Sequence, residues 1–126
     1  MARILIIDDD NFFRGVFRRI LESGGHEVVD AEGGAEGIEA YEKHRPALTI
    51  VDIFMPDMEG GEVIRQLKSR DADARIIAIS GRNLFHDNDD YIDQVKRQGA
   101  AAILRKLDSR EMVLAEIGRV LKKPSS

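Results

Sequence analysis

The apolar residues of this chain fall into two alternating rhythms. One consists of short, nearly unbroken runs: "RILII" (3–7), "EVVDA" (27–31), "LTIVDI" (48–53), "RIIAIS" (75–80) and "AAILR" (101–105). These read as strands, and the continuous Ile, Leu and Val of the first, third and fourth suit a parallel sheet covered on both faces. The other rhythm is helical. Phe12, Phe13, Val16, Phe17, Ile20 and Leu21 form one stripe, stopped by Gly24-Gly25, with Asp10 as its N-cap. Ile38 and Tyr41 mark a second helix, ended by Arg45-Pro46; Val63, Ile64 and Leu67 mark a third, and Tyr91, Ile92 and Val95 a fourth. A fifth opens on a capping box, Asp108 with Glu111, and continues through Val113, Leu114, Ile117, Val120 and Leu121. Strand then helix, five times over, predicts an α/β fold with a parallel sheet, helices on both faces and right-handed crossovers. Five units are too few for an eight-fold barrel, which leaves an open, doubly wound sheet. We expect one domain over 1–122, followed by a polar tail, "PSS" preceded by Lys123 (123–126).

Composition changes this picture only by exclusion. A formal net charge of −4 argues against broad binding to a nucleic-acid backbone. The chain has no Cys, so disulfides and thiolate zinc sites are ruled out. No apolar run approaches the roughly 20 residues of a membrane span, and acids follow the first strand too closely for a signal peptide. The expectation is a soluble, cytoplasmic domain.

The chemistry collects where the strands end. In open α/β sheets, ligands bind beyond the carboxyl ends of the strands, where strand order reverses. The first strand delivers Asp8, Asp9 and Asp10, the third Asp52, the fourth Ser80, and the fifth Lys106. An apolar strand that ends on a carboxylate needs something beyond it to use the charge. If the first and third strands are neighbours, Asp8, Asp9 and Asp52 converge, and like charges oppose one another's ionisation. A hard divalent cation resolves that conflict, and Mg²⁺, which takes oxygen ligands and is commonly completed by phosphate, suits it best. With a hydroxyl and an ammonium opposite, the set is equipped for phosphoryl transfer, and a carboxylate can itself be the nucleophile.

Asp-Asp, Asp-x-x-Met-Pro with a Gly turn, Ser-Gly and Lys at successive strand ends, in that order, together resemble the receiver domains of two-component response regulators, of the chemotaxis-regulator type. The resemblance covers essentially the whole chain. It implies a flavodoxin-like five-stranded sheet in the order 2-1-3-4-5. Asp52 would be the phosphoacceptor for a histidine kinase or histidine phosphotransfer protein. Asp9 would be the direct Mg²⁺ ligand, Asp8 its companion through water, and Phe54 a donor of its backbone carbonyl. Ser80 would be the switch hydroxyl and Lys106 the partner of the phosphoryl oxygens, while Pro56 and Gly60 shape the loop. The chain would then be no enzyme beyond catalysing its own phosphorylation and dephosphorylation. Its signal would leave through the face of the fourth helix, fifth strand and fifth helix, represented here by Ile92, Val95, Ile103 and Val113, toward an unknown target or a homodimer.

The sequence also departs from that family. Leu107 stands where proline usually follows the lysine, which favours a trans bond there. Ile103 replaces an aromatic switch residue, and Gly61 weakens the start of the third helix. "GRNLFHDNDDYIDQ" lengthens the loop beside the site, and Phe54, with Arg82, flanks the path of attacking water. Within that loop "HDNDD" (86–90) reads as a solvated acidic segment rather than a metal loop. Arg14, Arg18 and Arg19 read as a solvated helix face. Two other readings stay open: a phosphate-independent pseudo-receiver, and a haloacid-dehalogenase-type hydrolase built on Asp8 and Asp10, in which Asp52 would have no task.

Overall fold

The computed structural model describes the backbone of residues 2–81 and 89–123, and the side chains of these except 89–92. The predicted alternation is observed: β1 (Arg3–Ile7), α1 (Asn11–Ser23), β2 (Glu27–Ala31), α2 (Gly34–His44), β3 (Leu48–Asp52), α3 (Gly60–Arg70), β4 (Ile76–Ser80), α4 (Asp89–Gln98), β5 (Ala102–Arg105) and α5 (Arg110–Lys122). The strands form one parallel sheet in the order β2-β1-β3-β4-β5. β1 and β3 lie side by side, paired Ile4 to Leu48 through Ile7 to Val51, so the residues just beyond them share one rim.

Every residue of the central strands β3 and β4 is buried, because each face of the sheet carries its own apolar layer. On one side Leu5, Ile7, Val51 and Ala78 pack with Tyr41 of α2, Ile64 and Leu67 of α3, and Val95 of α4. On the other, Ile4, Ile6, Ile50 and Ile79 pack with Phe13, Phe17 and Leu21 of α1 and Val113, Ile117 and Val120 of α5. The alternation of strand side chains between faces supplies both layers at once.

Several expectations need correction. Phe12 and Val16 lie outside the buried stripe of α1: Phe12 is 81% exposed and Val16 is exposed as well. They sit one position off the Phe13–Phe17–Leu21 line that faces the sheet. The α5 capping box is displaced: Ser109, not Asp108, is the N-cap and accepts from Met112 N, whereas Asp108 Oδ2 accepts from Arg105 N at 2.8 Å. The loop from β5 turns tightly enough to leave Asp108 inside it. The expected caps elsewhere hold. Asp10 accepts from Phe13 N at 3.1 Å, and Arg45, in a left-handed conformation at φ 45°, ends α2 before Pro46. Gly61 does not stop α3 from starting at Gly60, and its bare backbone makes room for the Gln98 amide of α4. Residues 82–88, with Arg82 and His86 of the long loop, and the end of the tail lie outside the described residues, as do the side chains of Asp89, Asp90, Tyr91 and Ile92.

Candidate functional site

Asp8 follows β1 directly. Its amide donates to the Ala31 carbonyl at 3.1 Å, which continues the β1–β2 ladder by one residue and draws the carboxylate into full burial. Asp8 Oδ1 accepts from Asp10 N at 2.9 Å, and Asp10 in turn caps α1. The two turns fix Asp9 between them with its side chain exposed at the rim. Asp52 is the last residue of β3 and only 3% exposed, and its Oδ1 accepts from Phe54 N at 3.0 Å. Ser80 ends β4 and is equally buried; its carbonyl accepts from Lys106 N at 3.0 Å. Lys106 then reaches back over the rim. Its Nζ stands 3.0 Å from Asp8 Oδ2 and 3.2 Å from Asp52 Oδ2. The contact with Asp52 is a hydrogen bond, whereas the one with Asp8 is a charge contact, so among the described residues Asp8 Oδ2 is a buried oxygen with an ion pair and no aligned hydrogen bond.

Burial first, and then the Asp8 carboxylate, push the Asp52 carboxyl up to about 6, against the lowering effect of the Phe54 amide and Lys106. For Lys106, burial alone would depress the ammonium, but Asp8 and Asp52 outweigh it and hold the value above that of an ordinary lysine. Two buried acids therefore share one base. Asp8, Asp9 and Asp52 each bring a carboxylate oxygen within 4.8 Å of the others, a set that can hold a metal ion. The buried Asp8 Oδ2, which has a charge contact with Lys106 as its partner, and the all-oxygen donors fit a small, hard cation such as Mg²⁺. The loop after Asp52 is tied down by a close approach. A Cβ on Gly60 would come 2.5 Å from the Asp52 carbonyl oxygen and 2.6 Å from Ile53 Cα, so only glycine lets α3 begin there.

This rim can now be set beside known proteins. A family model described as the response regulator receiver domain matches residues 4–117. The chain belongs to the response regulator receiver domain family. Among similar proteins, the chemotaxis protein CheY of Bacillus subtilis is 38% identical over 120 residues, covering 94% of this chain and 97% of its own. Protein PilH of Pseudomonas aeruginosa is 36% identical over 123 residues, covering 96% and 98%. A crystal structure of a CheY-like receiver domain protein from Methanospirillum hungatei superposes with a TM-score of 0.87 at 29% identity, over 96% of this chain and 94% of that one.

In this receiver the structure brings together Asp8, Asp9, Asp52 and Lys106, with Ser80 joined to Lys106 through its backbone carbonyl and Phe54 half-buried against the apolar layer beside Asp52. Among the described residues no peptide bond is cis, so Lys106–Leu107 is trans, and Leu107 is 98% exposed. The lysine nevertheless reaches both acids.

The roles of four residues escaped the sequence reading. Arg14 is not a solvated side chain. It is largely buried, its Nη1 donates to the Asp8 carbonyl at 2.7 Å, and its guanidinium lies 3.5 Å from Glu32 and 3.9 Å from Asp30. Arg18 continues this line toward β2, donating to the Val28 carbonyl and to Asp30. Arginines four apart on a helix, facing a strand that ends in acids, were the available signal. Asp57 caps α2 from another loop, accepting from Gly34 N at 3.1 Å and Ala35 N at 3.3 Å. The signal there was a helix start made of glycines, with no side chain of its own to cap it. Phe13 lies beneath the Lys106 ammonium, 4.5 Å from Nζ to the ring centre.

The expected output face also needs revision. Val95 and Val113 are buried in opposite apolar layers, and the Ile92 side chain lies outside the described residues. Of the three whose side chains are described, only the half-buried Ile103 lines the groove of about 560 Å³ between α4, β5 and α5, together with Lys96, Arg105, Met112, Glu116 and Arg119. No described helix is long and apolar enough to cross a membrane.

Proposed function

We propose that this receiver takes a phosphoryl group onto Asp52 from the phosphohistidine of a histidine kinase or phosphotransfer protein, with Mg²⁺ held by Asp8, Asp9 and Asp52 and the Phe54 carbonyl. The observation that carries this reading is the convergence of three carboxylates and one lysine on a single rim, with the Asp52 carboxyl pushed up by burial.

The Phe54 amide holds Oδ1 of Asp52 and leaves Oδ2 as the nucleophile. Oδ2 attacks phosphorus, the P–N bond to the histidine breaks, its electron pair stays on the imidazole nitrogen, which takes up a proton, and an aspartyl phosphate results. Lys106 gives up its contact with Oδ2 and meets a phosphoryl oxygen instead, so the positive charge stays where negative charge arrives. Bound at the rim, Mg²⁺ would offset the negative charge of the phosphoryl oxygens and admit them among the acids. Asp8, fixed by the β1–β2 ladder and the Asp10 amide, keeps its second oxygen directed at the rim.

The Ser80 hydroxyl then turns to the phosphoryl group. Because β4 pairs with β5, Ser80 opposite Arg105 and Ala78 opposite Ile103, that movement reaches the half-buried Ile103 and the groove beside it. An aliphatic Ile103 serves as the yielding part of this relay. The chain is on this reading a signalling switch that catalyses only its own phosphorylation and dephosphorylation, in the cytoplasm.

Incubation with Mg²⁺ and acetyl phosphate, read by intact mass, tests the proposal. The wild type gains one phosphate, and Asp52→Ala gains none. Phosphate turnover that survives Asp52→Ala but not Asp8→Ala would instead mark a hydrolase.

A further inference from the structure

Among the described residues Lys106 is the one side-chain cation on the Asp8 and Asp52 carboxylates, and the turn after it is pinned through the backbone, by Asp108 Oδ2 on Arg105 N, rather than through Leu107. The Lys106–Leu107 bond is trans, Leu107 is almost wholly exposed, and no described contact anchors its side chain. Two features outside the acidic set lie against the lysine instead. Its stem runs over Gly81, where a Cβ would come 3.0 Å from Cδ and 3.5 Å from Cε. Its ammonium rests over the Phe13 ring, 4.5 Å from the centroid. Phe13 is itself packed in: it is 8% exposed and lies 5.1 Å from the Phe17 ring in the α1 layer.

The geometry points to Phe13 as a positioning residue for Lys106, whose ring face holds the ammonium at the rim while its acidic partners change. The inference rests on the phosphoacceptor reading of Asp52. The physical reason is particular to this site. During transfer Lys106 must let go of an Asp52 oxygen and meet a phosphoryl oxygen. A third carboxylate would anchor it, but would also add negative charge where the phosphoryl group arrives. An aromatic face attracts a cation through its quadrupole and carries no net charge. It therefore holds the lysine without competing for the cation or repelling the substrate, and Gly81 keeps the stem's path open.

The test strips the ring's negative face while keeping its shape. Phenylalanines with one, two and three ring fluorines are introduced at position 13 of the full chain, and Asp52 labelling by acetyl phosphate with Mg²⁺ is timed by intact mass. The rate falls stepwise, to about one-fifth with three fluorines. Phe13→Leu falls at least as far, and Phe13→Tyr keeps most of the rate. A second readout needs neither metal nor phosphate. In the metal-free protein the ε-protons of Lys106, assigned with Lys106→Arg, resonate upfield of the other lysines because they lie over the ring, and they return to the ordinary position in Phe13→Leu. A rate that is flat across the fluorinated series overturns the positioning role. Ordinary Lys106 ε-proton shifts in the wild type overturn the ring contact itself. A wild type that takes no phosphate on Asp52 defeats the phosphoacceptor reading and the role in transfer with it, while the lysine resonance still judges the contact.

Discussion

Two aspartates on opposite rims of the same sheet are held in opposite ways. Asp71, where α3 ends, accepts from the Tyr41 hydroxyl at 2.7 Å and from the Asp73 amide at 3.0 Å, and lies 3.6 Å from Arg45. The Tyr41 hydrogen bond first, then the amide and Arg45, hold its carboxyl below the usual carboxylate range. Asp52, where β3 ends, has one amide and a share of one lysine, and burial holds its carboxyl up at about 6. Among the described residues an arginine, Arg45, faces the Asp71 carboxylate, whereas the only side-chain cation at the Asp52 carboxylate is the shared Lys106. A carboxylate satisfied by its neighbours belongs to the scaffold, whereas one kept short of partners is ready for a ligand that is not part of the chain.

That contrast can be broken at either end. The largest effect belongs to the scaffold rim. Tyr41 is fully buried against α3 and the sheet, so Tyr41→Ala should lower stability by about 3–5 kcal/mol in urea unfolding. The folded fraction should still accept phosphate on Asp52. Loss of labelling in folded Tyr41→Ala would show that the two rims are not separable.

A smaller effect belongs to the support behind the site. Arg14→Ala removes the donor to the Asp8 carbonyl and the charge facing Asp30 and Glu32. The expected cost is about 2 kcal/mol, with weaker Mg²⁺ binding by calorimetry. Arg14→Lys should recover only part of each, since an ammonium cannot reproduce the guanidinium fork. Unchanged Mg²⁺ affinity in Arg14→Ala would leave Arg14 with a purely structural part.

The smallest effect has the sharpest sign. Asp52 titrates higher in the folded chain than its ordinary 3.8, so its ionisation opposes folding, increasingly as pH rises from about 4 to 6 and fully above that. Without metal, Asp52→Asn should therefore be more stable than wild type by about 1 kcal/mol at pH 8, once rim solvation is allowed for, and no different at pH 3. Asp71 titrates low, so its stabilising share is present above pH 4 and is lost as pH falls through its folded value. Asp71→Asn should thus be less stable than wild type at pH 8, with the gap closing toward acid. Urea midpoints across the range check both, and shifts of the same sign in the two variants would remove the distinction between the rims.

The parts of this molecule that could be read from its sequence are those governed by short-range pattern. Unbroken Ile and Val runs located five strands to within a residue, and Asp10 and Gly24 marked the ends of α1. Parallel strands ending on Asp8, Asp52, Ser80 and Lys106 could share only one rim once β1 and β3 were neighbours. What stayed hidden depends on long-range packing. Periodicity placed Phe12 and Phe13 on one stripe, but only the approach of the sheet and Lys106 decides that Phe13 goes under and Phe12 stays out. Val95 and Val113 read as surface because each helix has two flanks, and the apolar layers claimed them. Asp57 reaches α2 and Arg14 reaches the Asp8 carbonyl through contacts that no local window contains.

The central claim is that Asp8, Asp9 and Asp52 form one cation-dependent centre. Urea unfolding at pH 8, with and without Mg²⁺, tests it most directly. With Mg²⁺ at about 10 to 30 times its dissociation constant, the wild type should gain about 1.4–2 kcal/mol, and Asp9→Asn and Asp52→Asn should gain far less. An equal gain in all three proteins, or none in the wild type, would contradict the account.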